Sequence, residues 1–424
     1  MDRYPVVILD RPIRIFDFKP LPLLCLIVAS LLALKLSLLI NPSYRFGNIP
    51  CSIFVFVAFF SLIAGNVKAL ELKPLKWWMK RIHHFKGPLP VYLPDFTAEE
   101  KFDKQTLSLA LEEKNTICSC LKIDNDDLEK LDSLQRLKLA DLLIDFANDH
   151  FAPVQIYSPP QWMQQTENRD FYIITKDSTP ADCLVVKPNQ SKKQSKSLRL
   201  AHRMTKLGLQ TAEVGKADLR RLLYGQLSPS SWSVGIVNDA ITTGDDLLSL
   251  CESGFEHKLN YILIDGKFVS TLHLSNLPLE VNFGLFNKIF DADCDLAFSI
   301  YLSSCNSPAL KQRARINLRL GTTIKNYGPI TPPEHLAKIQ AFCQTEMAAT
   351  KIGVYVTVYA DNLPAMENSI LAVQRAVHRM GGAVSGCYAD ELDAMIAALP
   401  IGEDLIKSNH AITSQAAAHF IPFL

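Results

Sequence analysis

The sequence predicts an α+β protein: an N-terminal two-helix transmembrane hairpin followed by a cytoplasmic α+β body with split βαβ-type units. Three observations predict it. Two apolar runs lie back to back near the N-terminus, and basic residues crowd only their outer flanks. Beyond residue 152, short runs of β-branched and aromatic residues alternate with single helical segments. A hydrophobic content of 48% and a charged content of 21% suit a folded chain.

The first apolar run covers residues 21–40, with Lys35 as its only charge, and the second covers residues 49–68. A helix needs about 20 apolar residues to cross a bilayer core. The connection, Asn41 to Asn48, holds Pro42, Arg45 and Gly47 and is turn-rich. Arg3, Arg11, Arg14 and Lys19 precede the hairpin, and Lys68, Lys73, Lys76, Lys80, Arg81 and Lys86 follow it. The positive-inside bias therefore predicts both termini in the cytoplasm and the short loop outside. Trp77, Trp78, Lys80 and Arg81 read as membrane-interface anchors, with lipid as a partner. A signal peptide has a shorter apolar region and a small-residue cleavage site. A buried hydrophobic hairpin is the other rival.

A chain of 424 residues is long for one ordinary domain. The segments expected are a membrane hairpin over 1–70, a basic and aromatic connector over 71–96, a helical segment over 97–151, and α+β subdomains over 152–290 and 291–424. A net charge of +1 gives no global reason to expect nucleic acid. The ten cysteines have no framework spacing, and Cys118-Ser119-Cys120 lacks a second pair at zinc spacing.

In the helical segment, Leu128, Leu131, Leu134, Leu137, Leu142 and Phe146 recur near helical spacing, as one apolar stripe. Val154 to Tyr157, Phe171 to Thr175 and Cys183 to Lys187 read as strands, and Ser191 to Leu207 and Lys216 to Leu227 as helices. Tyr261 to Ile264 and Phe268 to Leu274 flank Asp265-Gly266, a dipeptide that favours a type I′ hairpin. Ala297 to Leu302 is a strand, followed by helices from Pro308 to Leu320 and from Pro332 to Met347. Gly353 to Tyr359 alternates as a strand. The helix Met366 to Met380 then stops at Gly381-Gly382. Ala383 to Tyr388 is a strand and Asp390 to Leu399 a helix.

Tests for chemistry fail. A phosphate-cradling loop needs G-x-x-x-x-G-K-[ST], so that backbone amides wrap the phosphates while the lysine reaches them. Gly215-Lys216 is followed by Ala217, and Gly266-Lys267 by Phe268. There is no H-E-x-x-H and no G-x-S-x-G, and Ser385 stands at the wrong spacing. No catalytic, cofactor-binding or metal-binding residue is assigned. One charge run stands out. From Lys187 to Lys206 seven cations occur without an acid, and Lys192, Lys193, Lys196, Arg199 and Arg203 are candidate contacts for an anion, lipid or DNA. A solvated face is the ordinary reading of such a run.

Several stretches resemble the N-terminal, non-motor region of the TrbE/CagE-type ATPases of type IV secretion and conjugative transfer. They are Leu219 to Tyr224 with Leu227-Ser228-Pro229, Asn260 to Leu277, and Tyr355 to Ala360 with the helix Leu363 to Met380 and Gly381-Gly382. Ala398-Leu399-Pro400-Ile401-Gly402 matches that family's L-P-x-G stretch, and Thr413 to Phe423 its tail. The first 96 residues, with Lys73 to Trp78, resemble small PrgI-like or TcpE-like two-span subunits. The resemblance implies a non-catalytic component anchored in the bacterial inner membrane that docks a transport ATPase. It implies no cofactor in this chain, with ATP on a partner or on a further domain. Partners would be other secretion subunits, and a homo-oligomer is possible; nucleic acid is not expected. The docking faces expected are the stripe 128–146 and the helix face Met366, Ile370, Val373, Val377 and Met380. The alternatives are a split or truncated ATPase and an unrelated membrane-bound enzyme.

Overall fold

The computed structural model describes residues 4–6, 8–9, 45–46, 49–50, 109–111, 116–123, 125–150, 153–164, 169–178, 196–214, 216–229, 255–258, 260–278, 280–281, 285–292, 294–305, 307–324, 333–345, 348–387, 390–402 and 404–422. The chain divides into two compact units. One comprises residues 1–10, 90–315 and 332–424, and the other residues 11–89 and 316–331. Three short strands come first in the chain: β1 (Tyr4–Pro5), β2 (Arg45–Phe46) and β3 (Ile49–Pro50).

The first unit is built on an antiparallel sheet of 12 strands, which falls into two halves. The first half contains β4 (Leu109–Leu111), β5 (Thr116–Ile123), α1 (Asn125–Lys130), α2 (Ser133–His150), β6 (Val154–Ser158), β7 (Phe171–Ser178), α3 (Lys196–Lys206), β8 (Thr211–Glu213) and α4 (Lys216–Leu227). Its central strand is β5, which pairs with β7 from Thr116↔Ser178 to Ile123↔Phe171 and with β8 from Leu121↔Glu213 to Ile123↔Thr211. β7 in turn pairs with β6, Val154↔Thr175 to Tyr157↔Tyr172. The order β8-β5-β7-β6 with helices α2 and α3 in the crossovers is that of a βαββαβ plait.

The second half contains β9 (Phe255–His257), β10 (Ile262–Ile264), β11 (Lys267–Asn276), β12 (Glu280–Val281), α5 (Asn287–Phe290), β13 (Asp295–Ser304), α6 (Ser307–Ile324, of which residues 307–315 belong to this unit), α7 (Pro333–Gln344), β14 (Ala349–Ala360), α8 (Leu363–Arg379), β15 (Ala383–Gly386), α9 (Glu391–Ala398), β16 (His410–Thr413) and α10 (Ser414–Ala418). The ladders run β13·β14, β14·β11 and β11·β15, all antiparallel. The order β15-β11-β14-β13 repeats that of the first half, with the hairpin between its second and third strands replaced by α6 and α7. The halves meet where β6 pairs with β13, Phe298↔Ser158 to Leu302↔Val154. Read across the sheet, the second half mirrors the first, and both second strands lie at the seam. The hairpins β4–β5 and β10–β11 occupy matching places.

Alternation along the strands sorts residues to two faces. Ile352, Val354, Val356 and Val358 of β14 join Leu139, Leu143 and Phe146 of α2 and Val373 and Val377 of α8 in the larger core. Tyr359 of β14 and Ala297 of β13 face the other way, into a core with Leu219, Leu222 and Leu223 of α4 and Met395 and Ile396 of α9. The α8 helix starts where the Asn362 side chain accepts from Ala365 N at 2.9 Å. It stops at Gly381, whose φ of 81° is the left-handed turn that glycine takes without a Cβ penalty.

The transmembrane hairpin and the inner-membrane location expected with it are corrected. Among the described residues no helix is long and apolar enough to cross a membrane. The described part of that region is a strand pair, Arg45↔Pro50 and Phe46↔Ile49, so Ile49 sits in a strand where the start of a second span was expected. The rest of residues 21–40 and 49–68 lies outside the described residues, as do Trp77, Trp78, Lys80 and Arg81. The physical reason for the mismatch is that hydropathy measures how apolar a segment is, not which backbone pairing it adopts. The start of the segment expected as membrane hairpin over 1–70 shows the same: β1 pairs with β12, Leu9 N donates to Ala411 O at 2.7 Å, and Val6 and Leu9 are buried.

The segment 97–151 also differs from the helix expected. Thr116–Ile123 is a strand, and the leucine stripe is two helices. Asp132 and Gln135 cap each other across the break: Gln135 N donates to Asp132 Oδ1 at 2.7 Å and Asp132 N to Gln135 Oε1 at 3.0 Å. The packed face of α2 is Leu139, Ala140, Leu143, Ile144, Phe146 and Ala147, whereas Leu134 is 60% exposed.

Candidate functional site

The second face of the sheet carries an unusual density of polar side chains. Period-two alternation places Gln155 and Tyr157 of β6, Ser299 and Tyr301 of β13, Tyr355, Thr357 and Tyr359 of β14, and Thr271 and His273 of β11 on it. The short helix α9 and residues 399–402 and 404–409 lie over this row. Burying so many polar groups is costly unless each finds a partner.

Gln155 is fully buried. Its Nε2 donates to Ser299 Oγ and to Leu399 O, each at 2.7 Å, and its Oε1 accepts from Gly402 N at 2.7 Å. Tyr301 Oη donates to Ala397 O at 2.6 Å. Two carbonyls at the C-terminal end of α9, which lack partners inside the helix, are thereby satisfied.

At the other end of α9, Glu391 is buried in the first turn. Its carboxylate accepts from Thr271 N at 3.2 Å and Ser270 Oγ at 3.5 Å. Burial pushes its pKa up to about 8, with the Thr271, Ser270 and Cys387 hydrogen bonds pulling the other way. Beside it Thr271 Oγ1 and Thr357 Oγ1 share a hydrogen bond of 3.1 Å.

The 404–409 loop is tied to Tyr355. Tyr355 Oη donates to Asp404 Oδ1 at 2.6 Å and accepts from Ser408 N at 3.2 Å, while Lys407, with φ of 54°, donates its N–H to Asp404 Oδ1 at 2.8 Å. Burial, then the Asp404 carboxylate, hold the Tyr355 phenol well above its ordinary range. Under α4, Gln226 Nε2 donates to Tyr157 Oη at 2.5 Å and Tyr359 Oη donates to Gln226 Oε1 at 3.1 Å.

His273 Nδ1 stands 3.4 Å from Cys387 Sγ. Burial, then neighbouring His410, lower the His273 pKa and favour the neutral imidazole. A thiol–imidazole pair is a nucleophile motif only where a substrate can reach the sulfur. Cys387 is 5% exposed, so the pair reads as packing. Among the described residues no group of three His, Cys, Asp or Glu side chains is placed to hold a metal ion. The arrangement binds: it fastens residues 391–402 and 404–409 across both halves of the sheet.

The residues singled out from the sequence do not gather at this seam. Arg199 and Arg203 are exposed on α3, Lys196 opens that helix, and Lys192 and Lys193 lie outside the described residues. The α8 face expected to dock a partner packs inward: Met366, Val373 and Val377 are buried, and Ile370 and Met380 pack against the larger core. Gln155, Tyr301 and Glu391 carried no local signal. An isolated polar residue in a β-branched run, such as Gln155 between Val154 and Ile156, is the trace they leave. No protein-family model matches the chain, and no curated protein matches it.

Proposed function

We propose that this chain is a non-catalytic docking component of a type IV secretion or conjugative transfer machine, and that nucleotide hydrolysis belongs to a transport ATPase it holds. The observation that supports this reading most is where the stretches resembling that family fall. Asp265-Gly266 forms a hairpin turn with φ of 50° and 77°, Gly381 ends α8 at φ 81°, and Gly402 takes φ 69° while donating to Gln155. The few turn residues behind the resemblance thus stand where this fold needs unusual backbone. That is what a shared body, rather than a shared hydrophobic composition, would leave. The buried state of Glu391 and Cys387 argues for binding over turnover.

The test is co-purification of the full chain with the P-loop ATPase encoded nearest to it. The reading expects a complex that survives gel filtration, and no MgATP binding by the chain alone in calorimetry. Tight MgATP binding by the chain alone, or no complex with that ATPase, overturns it.

A further inference from the structure

The outer edge of β11 is discontinuous. It pairs with β10 as far as Val269 and with β15 from Leu272, which leaves Ser270 and Thr271 between two strands. Glu391, in the first turn of α9, fills that gap as a strand would: its Oε2 accepts the Thr271 N–H at 3.2 Å. The Ser270 hydroxyl has one proton and two acceptors in reach, Asn260 O at 3.2 Å and Glu391 Oε1 at 3.5 Å. With Glu391 protonated, the acid proton goes to Ser270 Oγ and the Ser270 proton to Asn260 O, so both bonds are made. With Glu391 ionised, only one of them can be.

Nothing nearby compensates an ionised Glu391. Among the described residues it has no ion-pair partner, and the neighbouring Asp390 opposes its ionisation. On the sheet face under α9 the ionisable groups are His273 of β11, Tyr355 and Tyr359 of β14 and Tyr301 of β13, with Cys387 following β15 and Asp393 on the helix itself. Burial holds His273 below its ordinary range and Tyr355 and Tyr359 above theirs, so these groups stay neutral at neutral pH. Lys267, at the start of β11, is engaged by Asp361. A buried carboxylate without a cation is costly, and opening to water relieves it.

The two ends of α9 differ in this respect. Its C-terminal end and the turn after it are held by neutral groups: Tyr301 Oη donates to Ala397 O, Gln155 Nε2 to Leu399 O, and Gly402 N to Gln155 Oε1. No change of pH in the ordinary range alters those bonds. We propose that ionisation of Glu391 releases the N-terminal end of α9, which swings about its fixed C-terminal end and uncovers the edge of β11 between β10 and β15. The helix is then closed in mild acid and open in mild alkali. This device does not rest on the identity of the machine.

The test is hydrogen exchange on the full chain at pH 6 and pH 9, read as protection factors so that the intrinsic effect of base cancels. Two amides report the mobile end: Thr271 N, held by Glu391, and Asp390 N, which donates to Cys387 O at 2.8 Å. Their protection falls at least tenfold at pH 9, while Gly402 and the amides of β14 keep theirs. Cys387, 5% exposed in the closed form, is alkylated at least tenfold faster relative to an unfolded-peptide thiol at the same pH. In E391Q, which has no proton to lose, Thr271 and Asp390 hold their protection at both pH values. Unchanged or greater protection of Thr271 at pH 9 means that Glu391 ionises in place and overturns the proposal. An equal fall at Gly402 and in β14 overturns it too, and so does the same fall at Thr271 in E391Q. The comparison of Thr271 with Gly402 in the native chain decides the matter without any variant.

Discussion

The side chain of Gln155 reaches Gly402, 247 positions away, and accepts its backbone N–H at 2.7 Å. The same amide donates to Leu399 O, so one residue of β6 holds both ends of the Leu399–Gly402 turn. The contact joins the first half of the sheet to the C-terminal segment lying over the second.

Replacing Gln155 with Leu keeps its volume but strands the Gly402 N–H and takes the Nε2 donor from Ser299 Oγ, while Leu399 O keeps its bond from Ile401 N. Each buried unsatisfied group costs about 1–3 kcal/mol, so Q155L is expected to lose about 2–4 kcal/mol. Urea unfolding reads this as a lower midpoint at an unchanged slope. Hydrogen exchange adds the location, with faster exchange at Gly402 than in β14. Wild-type protection at Gly402 in Q155L removes the assigned role.

Glu391 makes stability depend on pH. Its folded pKa of about 8 lies above the ordinary 4.5, so the folded state holds a proton that the unfolded chain has released. Stability is greatest below the unfolded value and falls as pH rises through the window from about 4.5 to 8. A shift of this size corresponds to about 3 kcal/mol lost between pH 5 and pH 8. Thermal melting across that range should slope downward for the native chain and be flatter for E391Q, which has no proton to lose. Parallel profiles for the two proteins defeat the assignment.

What could be read from the sequence was what short-range geometry dictates. Asp265-Gly266 announces a turn because both residues must take positive φ, and Lys216–Leu227 is a helix with no competing signal. The strand Thr116–Ile123 was hidden because Cys120, Leu121 and Ile123 are all buried, which erases the two-residue alternation. The stripe 128–146 looked continuous because leucine spacing survives the break at Asp132, where a reciprocal cap starts a new helix. The polar seam joins residues from β6, β11, β13, β14 and α9, and no local pattern foretells such a meeting. The apolar runs misled because hydropathy and backbone pairing are separate properties.

Gly266 is expected to resist substitution for a reason that contacts do not show. No atom lies within 4 Å of a Cβ built there, yet its φ is 77°. An L-residue in the left-handed region costs about 1–2 kcal/mol. G266A should therefore lower stability by about that amount without any steric clash, while G266N, which tolerates this region better, should recover part of it. Equal stability of G266A and the native chain in denaturant would show that the β10–β11 turn is free to reshape.

Gly353 presents the opposite case, a glycine required by crowding. Its φ is ordinary, but a Cβ at that position would overlap the Asn409 side chain and lie 3.6 Å from Asp404 Oδ2. The segment that Tyr355 anchors through Asp404 is thus pressed against bare backbone of β14. G353A must push that segment outward or strain it, at a cost of about 1–3 kcal/mol. The partner change N409A removes the obstruction, and the buried Asn409 Oδ1 has no hydrogen-bond partner among the described residues to lose. The double variant G353A/N409A is therefore expected to be more stable than G353A alone, with a coupling of at least about 1 kcal/mol in a double-mutant cycle. Additive effects would mean that the 404–409 loop does not close onto Gly353, and with it would go the view that this segment is fastened to the sheet along its length.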